Sequence, residues 1–86
     1  MPEYLKKINR SSVVQRVIDR LTQAMLSGEL KPGDKIPTEM ELSEQLGVAR
    51  NSIREAIKIL VYIGVLEIKR AEGNFVCNGF SERLID

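Results

Sequence analysis

Residues 50–58, with the sequence RNSIREAIK, carry side chains that can bond to the edges of nucleic-acid bases. Arg50 can donate two hydrogen bonds to one guanine, and Asn51 can pair with one adenine through its amide. Ser52 can bond to a base or to a phosphate oxygen. Arg54 and Lys58 follow Arg50 at intervals of four residues, which puts three basic side chains on one face of a helix. This spacing predicts a helix with a DNA-contacting face.

The same helix must also pack against a core, and its apolar residues supply a second face. At about 100° per residue, the basic residues fall in one arc and the apolar residues in another. The apolar arc is formed by Ile53, Ala56, Ile57 and Leu60. We therefore expect a helix over residues 49–63, ended by Gly64 in the left-handed conformation.

Two helices are predicted before this one. Residues 12–27 have apolar residues at helical spacing, and Gly28 can end that helix. A short helix then begins at Thr38, which has capping-box spacing to Glu41, and ends at Gly47. The turn between this helix and the next is about three residues long, which is typical of a helix-turn-helix. In that motif the second helix lies in the DNA major groove with its first residues against the bases.

After the third helix, the apolar period changes from that of a helix to that of a strand. Leu66 and Ile68 alternate with polar residues and predict a strand with one face towards the core. Gly73 can take the positive φ of a tight turn, after which the sequence FVC predicts the returning strand. Lys69 and Arg70 stand at the hairpin tip, where they can reach the flanking DNA backbone or the minor groove. The fold class that follows is mainly α with a small β-hairpin: three helices and a two-stranded wing, a winged helix-turn-helix.

Composition removes several classes of function. The chain of 86 residues has room for one domain with a modest core, and it contains no histidine and a single cysteine. Without histidine neither the usual zinc sites nor imidazole catalysis can be built, and one cysteine cannot form an internal disulfide. The sequence has no nucleophile–base pair and no phosphate-binding glycine loop, so we expect no enzyme, no metal and no cofactor. It also lacks a membrane-length apolar run and a signal-peptide core, which predicts a cytoplasmic protein.

Two other interpretations of the basic face remain open. Residues 50–70 hold five Lys/Arg and two Asp/Glu, whereas residues 29–44 hold two and five, so that a near-neutral chain can form a basic face. The basic side chains could instead be a solvated surface that pairs locally with Glu55. A winged helix can also dock onto another protein without contacting DNA. The salt dependence of binding distinguishes a protein-docking module from a DNA-binding domain, because phosphate contacts weaken steeply as salt rises.

Most of the chain resembles a known family. Residues 26–76 contain the stretches SGELKPGDKIPTE, ELSEQLGVARNSIREA and GNFV, and are similar to the N-terminal DNA-binding domain of GntR-type bacterial transcription regulators. Residues 13–25 correspond to the first helix of that domain. The stretch NSIREAIKIL is more similar to the FadR-type branch. The resemblance implies a double-stranded DNA operator as partner and, in a full-length form, a ligand-responsive regulator that we expect to be a repressor.

The resemblance also implies which residues contact DNA. The operator-reading residues of the family fall here on Arg50, Asn51, Ser52 and Arg54, and its wing contacts fall near Lys69, Arg70 and Gly73. Lys58, on the basic face, and Thr38, at the start of the second helix, complete the set of candidate DNA-binding residues.

Three positions depart from the family pattern. Met40 stands where an arginine that often reaches DNA is usual, which calls one base or phosphate contact into question and could shift the preferred operator. Ala49 replaces the usual Ser or Thr, so the third helix loses an N-cap and a phosphate-bonding hydroxyl, at about 1 kcal/mol of helix stability. In the wing, Ala71 stands where a glycine is common, and Glu72 would be unfavourable near phosphate.

The domain organisation expected from the resemblance has three parts. Residues 1–10 are an N-terminal arm, residues 11–78 the winged helix-turn-helix domain, and residues 79–86 the start of a linker. GntR-type regulators carry a C-terminal effector-binding and oligomerisation domain, so we expect these 86 residues to be a DNA-binding domain taken from a longer regulator. We accordingly expect a homodimer only in a full-length form, and no small-molecule effector bound by this fragment.

Overall fold

The computed structural model describes residues 10–78 and contains three helices followed by a β-hairpin. The elements are α1 (Arg10–Ser27), α2 (Glu39–Leu46), α3 (Arg50–Tyr62), β1 (Leu66–Lys69) and β2 (Gly73–Val76). The expected winged helix-turn-helix architecture is thereby confirmed. The expected arm and linker lie outside the described residues, except that α1 begins at Arg10, two residues before the predicted start.

A single core lies where α1, α3 and the hairpin meet. The apolar face predicted for α3 is buried along its whole length, and the α1 residues that face it are spaced by three or four positions, as an amphipathic helix requires. The core consists of Val14, Val17, Leu21, Met25, Ile36, Leu42, Ile53, Ala56, Ile57, Leu60, Val65, Leu66 and Val76. This packing fixes α3 from behind and leaves its other face to solvent.

Glycines and one capping box set the helix ends as predicted. Thr38 accepts a hydrogen bond from the backbone N–H of Glu41 at 3.1 Å, and its own N–H donates to the Glu41 carboxylate at 2.9 Å. Gly47 ends α2 in the left-handed conformation, with φ 69°. Gly64, with φ 83°, follows α3, and the Val65 N–H bonds back to the Leu60 carbonyl at 2.9 Å.

A short segment before α2 pairs with the outer edge of β2, which the sequence did not predict. In the hairpin itself Leu66 pairs with Val76 and Ile68 with Asn74. On the other edge of β2, the Ile36 N–H donates to the Asn74 carbonyl and the Val76 N–H donates to the Asp34 carbonyl, both at 2.9 Å. Residues 33–36 belong to the loop before α2, and their hydrogen bonds to β2 connect the wing to the helices.

The alternation predicted for β1 holds at only one of its two apolar positions. Leu66 is buried, but Ile68 is 66% exposed. Both side chains lie on the same face of the strand, because successive strand residues point to opposite faces. The core ends level with Leu66, since the partner of Ile68 across the hairpin is the polar Asn74. The prediction that Ile68 faces the core was therefore wrong.

The turn at the wing tip holds a non-glycine residue in the left-handed region. The Glu72 N–H bonds to the Lys69 carbonyl at 3.0 Å, and Ala71, third in this four-residue turn, has φ 63°. Glycine is the residue that this position of a type II turn favours. The sequence placed the positive φ at Gly73, which has φ 121°, and missed it at Ala71.

Replacing Ala71 with glycine is therefore expected to stabilise the domain. Alanine in the left-handed region is strained by about 1 kcal/mol relative to glycine, so the free energy of unfolding should rise by up to about that amount. Urea denaturation measures the change. Glu72→Gly is the matched control: the φ of Glu72 is negative, so glycine there should only add unfolded-state entropy and lower stability. Equal effects of the two substitutions would contradict the strained turn.

Candidate nucleic-acid interface

The turn between α2 and α3 is locked by backbone and side-chain bonds that fix where α3 begins. The Ser43 hydroxyl donates to the Val48 carbonyl at 2.6 Å, and the Val48 N–H donates to the Ser43 carbonyl at 3.2 Å. The Gly47 N–H bonds to the same Ser43 carbonyl at 2.9 Å. Ser43 therefore closes the turn, so that the first residues of α3 are held in a fixed orientation relative to α2.

Four of the predicted base-reading residues lie at this end of α3. Arg50 and Asn51 are exposed, and within the described part of the chain neither side chain has a hydrogen-bond partner. Ser52 is half-buried. Asn51, Ser52, Arg54 and Lys58 line one shallow depression on the exposed side of the helix. Donors and acceptors that are free in the isolated protein are available to a ligand that approaches this end.

The start of α3 also offers unpaired backbone donors. Ala49 occupies the N-cap position with extended backbone, φ −64° and ψ 145°, and its side chain makes no capping hydrogen bond. The Ser52 N–H donates to the Ala49 carbonyl at 3.0 Å, whereas the N–H groups of Arg50 and Asn51 have no partner within the helix. The helix dipole adds partial positive charge at this end. Such an end binds phosphate oxygens readily. The missing cap predicted from Ala49 is confirmed.

Restoring the cap gives a direct test of that geometry. Ala49→Ser should raise the free energy of unfolding by about 1 kcal/mol, because a serine hydroxyl at an N-cap accepts from the first-turn N–H groups. Thermal or urea unfolding measures the gain. Ala49→Val, which has no hydroxyl, is the control and should bring no gain. A serine variant no more stable than the wild type would show that the first turn is not open to capping.

Arg54 is paired in a way that the sequence did not predict. Its Nη2 lies 3.1 Å from Oε1 of Glu39, and its Nε lies 3.5 Å from Oε2 of the same carboxylate. A guanidinium has five N–H donors in a flat fork, so the edge away from Glu39 keeps its donors. The side chain of Arg54 is 48% exposed. Glu39 therefore orients the guanidinium while leaving an edge that can bond to a guanine.

The recognition face continues from α3 onto the wing. A groove of about 290 Å³ lies between the two, with Arg54 and Lys58 on one side and Ile68 and Asn74 on the other. Apolar and polar side chains both line the groove: Ile57, Val61 and Ile68 are apolar, and Glu39, Arg54, Lys58 and Asn74 are polar. The basic face of α3 and the wing thus form one continuous surface.

The wing carries its basic residues on the strand face opposite to Ile68. The ammonium group of Lys69 lies 4.5 Å from the centre of the Phe75 ring, a cation–π contact. Lys35, from the segment before α2 that pairs with β2, lies across Gly73, where an added Cβ would come within 2.8 Å of its side chain. Arg70 is exposed in the turn. Lys35 and Phe75 were not predicted, and with Lys69 they lie on the face of the wing opposite to the groove.

Thr38 has a structural role at the start of α2. Its side chain and backbone form the capping box with Glu41. Hydrogen bonding to the Glu41 carboxylate lowers the pKa of that carboxyl, mainly from the Thr38 backbone N–H and less from the Thr38 side chain. Lys35 adds a smaller electrostatic effect in the same direction. The Thr38 residue itself is exposed, so its hydroxyl can still donate to a phosphate oxygen.

The described residues, 10–78, lack the features of a metal site or of a membrane-spanning helix. They contain no group of three or more His, Cys, Asp or Glu side chains that could hold a metal ion. In the same residues no helix has both the length and the hydropathy that a bilayer crossing requires.

Comparisons with known sequences identify a family. A family model described as bacterial regulatory proteins, gntR family, matches residues 13–76. The chain is 41% identical over 68 residues to YcbG, an uncharacterized HTH-type transcriptional regulator of Bacillus subtilis, with 79% of this chain and 29% of the relative covered. It is 39% identical over 62 residues to MngR of Escherichia coli, a mannosyl-D-glycerate transport/metabolism system repressor, with 72% and 26% covered. The chain thus spans less than a third of the length of these relatives.

Solved structures add a DNA complex. The DNA-binding domain of AraR in complex with operator ORR3 matches with a TM-score of 0.72 at 38% identity, covering 76% of this chain and 78% of that chain. A GntR family transcriptional regulator from Listeria monocytogenes matches with a TM-score of 0.81 at 18% identity, covering 86% and 68%, which is a likeness of fold alone. A homologous domain with this fold therefore binds a DNA operator.

Proposed function

The chain belongs to the GntR family of bacterial regulatory proteins as a DNA-binding domain of a transcription regulator, and we propose that it reads its operator with the start of α3. The observation that supports this is the uncapped first turn of α3, where the exposed side chains of Arg50 and Asn51 have no hydrogen-bond partner among residues 10–78. Arg50 bonds to guanine, Asn51 to adenine, and Ser52 to a base or phosphate. Arg54 adds a base contact through its outer edge.

The remaining candidates hold the domain on the DNA backbone. Lys58 lies on the same face of α3, beyond the base-reading residues, and Thr38 stands at the start of α2. In the wing, Lys69, Arg70 and the backbone at Gly73 contact the flanking phosphates or the minor groove. Phosphate contacts fix register and orientation but carry no sequence information. Sequence preference therefore comes from α3, and much of the salt-sensitive affinity comes from the wing.

We propose that the full-length protein is a ligand-responsive repressor of the FadR-type branch and that it acts in the bacterial cytoplasm. The similarity to MngR supports the assignment as a repressor. The stretch NSIREAIKIL supports the assignment to the FadR-type branch. Residues 11–78 form the DNA-binding domain, with residues 1–10 as an arm and residues 79–86 leading into an effector-binding domain. A full-length homodimer would present two α3 helices to successive major grooves, about 34 Å apart, and so would read a palindromic site.

One observation favours a second candidate, a protein-docking module. Tyr62 is 90% exposed at the end of α3, beside the exposed Ile59 and Ile63. Exposed aromatic and aliphatic side chains in one place are typical of protein contacts. This cluster lies at the opposite end of α3 from Arg50. It can bind a protein without involving the basic face.

Selection of binding sites from random DNA duplexes tests the proposed function. The 86-residue chain should enrich a consensus, and anisotropy titrations should give an affinity that falls steeply with salt. With about five phosphate contacts, a fourfold rise in salt should weaken binding by a factor of roughly 500. A pool that stays random, or an affinity that salt leaves unchanged, would contradict DNA reading and favour the docking module.

A further inference from the structure

Exposed apolar side chains are few in the described part of this domain, and two of them, Met40 and Ile68, stand beside the recognition face. Within residues 10–78 the large apolar side chains with substantial exposure are Leu26, Met40, Ile59, Tyr62, Ile63 and Ile68. Met40 is 55% exposed in the first turn of α2. It directly follows Glu39, whose carboxylate holds Arg54 of α3 at 3.1 Å. An exposed thioether therefore adjoins the Glu39–Arg54 ion pair at the recognition face.

Helix geometry places Met40 on the solvent side of α2, about 100° around the helix from the α3-facing Glu39. Glu39 faces α3, because it pairs with Arg54, and Ser43 faces the turn, because its hydroxyl bonds to the Val48 carbonyl. At about 100° per residue, Met40 lies about 60° beyond Ser43 and about 160° from the buried Leu42. The side chain therefore points to solvent from the same flank of α2 that adjoins the start of α3.

We propose that Met40 packs against the C5 methyl group of a thymine next to the bases that Arg50 and Asn51 contact. This inference rests on the proposed function. Methionine has no donor, so phosphate gives it no favourable charged or hydrogen-bonded contact. The thymine methyl is the apolar group that bases display in the major groove. The unbranched, flexible side chain of methionine adapts to such a small apolar contact.

A thymine contact by Met40 would constrain one base pair of the operator. One position of the selected site should be an A·T pair with the thymine methyl towards α2. Met40→Ala should lose the preference at that position and keep it elsewhere. Met40→Arg should change the same position to G·C, because arginine bonds bidentately to guanine O6 and N7. A change confined to one base pair would separate direct contact by residue 40 from a general loss of affinity.

Replacing thymine with deoxyuridine removes only the methyl group and gives the sharpest test. Each thymine of the selected duplex is replaced in turn, and Kd is measured by anisotropy at fixed salt. For the wild-type chain, one replacement should weaken binding about fourfold, the factor that corresponds to about 0.8 kcal/mol per buried methyl or methylene group. Met40→Ala should show no difference between thymine and deoxyuridine at that position.

Ile59→Ala serves as the matched control. Ile59 is another exposed apolar residue, and it lies about 140° around α3 from Arg54. This variant should keep the wild-type response to deoxyuridine. A wild-type chain that tolerates deoxyuridine at every thymine would overturn the proposal, as would a methyl effect that survives Met40→Ala. An affinity loss in Met40→Ala without any methyl effect would point to deoxyribose carbons and would also overturn it.

The failure of this inference and the failure of the proposed function give different results. If selection yields no consensus, the proposed function fails and the thymine contact fails with it. If a consensus is bound in a manner that depends on Arg50 but no deoxyuridine replacement matters, DNA reading by α3 stands and only the role of Met40 is overturned.

Discussion

Replacement of Arg50 or Arg54 with alanine is expected to weaken binding to the selected operator by about 1–3 kcal/mol each, a factor of roughly 5 to 150, if a bidentate base contact is lost. The variants should fold normally. Arg50 has no protein partner in the described residues, and the exposed pair of Arg54 with Glu39 contributes at most about 1 kcal/mol to stability. Anisotropy titration with matched and scrambled duplexes measures the change, and circular dichroism confirms the fold.

Arg54 needs a second variant, because its removal leaves the Glu39 carboxylate unpaired beside the DNA. That charge would repel phosphate and add to the measured loss. The double variant Glu39→Gln with Arg54→Ala removes the repulsion and leaves the loss of the base contact. Arg16→Ala, which removes an exposed charge from α1, is the control for net charge. If Arg50→Ala and Arg54→Ala lost no more affinity than Arg16→Ala, the assignment of α3 as the reading helix would be wrong.

Leu60→Ala is expected to destabilise the domain by about 2–5 kcal/mol. Leu60 is fully buried at the centre of the core, and truncating a buried leucine removes apolar contacts and leaves a cavity. Small domains have total stabilities on the order of 0.05–0.15 kcal/mol per residue, so this loss is a large share for 86 residues. Urea denaturation should show an earlier midpoint.

The neighbouring residue supplies the control for this effect. Ile59 is also a large aliphatic residue of α3, but it is exposed, so Ile59→Ala should change stability by less than about 1 kcal/mol. Similar losses in the two variants would show that α3 does not present Leu60 to the core. At temperatures where Leu60→Ala is folded, it should bind the operator like the wild type, because its side chain is remote from the basic face.

Local sequence signals were sufficient to predict the helices and their faces. The apolar arc of α3 is set by the helix period alone, and all four residues assigned to it are buried. The ends followed from residues that act within one turn, namely the Thr38–Glu41 box and the glycines at 47 and 64. The exposure of Asn51 followed from the same helical wheel, since Asn51 lies about 120° around α3 from Ile57, the nearest residue of the buried arc. Arg50 lies only about 20° from Ile57 on the wheel, and it is exposed at the first position of α3.

Contacts between distant segments were not predictable in the same way. The pairing of residues 33–36 with β2 joins segments about forty positions apart, and nothing in the loop sequence specifies its partner. The ion pair of Arg54 with Glu39 spans 15 positions and two helices. Ile68 was misassigned because period-2 alternation identifies a face of a strand but not where the core beneath it ends. These features depend on how the elements pack together.

The most direct test of the central claim is amide chemical-shift mapping of the isotope-labelled 86-residue chain titrated with its selected duplex. The largest chemical-shift changes should fall on residues 49–58 and on the wing tip, residues 69–73, while the amides around Tyr62 should change little. A scrambled duplex at the same salt should produce smaller shifts. Shifts concentrated on Ile59, Tyr62 and Ile63, or a spectrum unchanged at excess duplex, would contradict DNA reading by the start of α3.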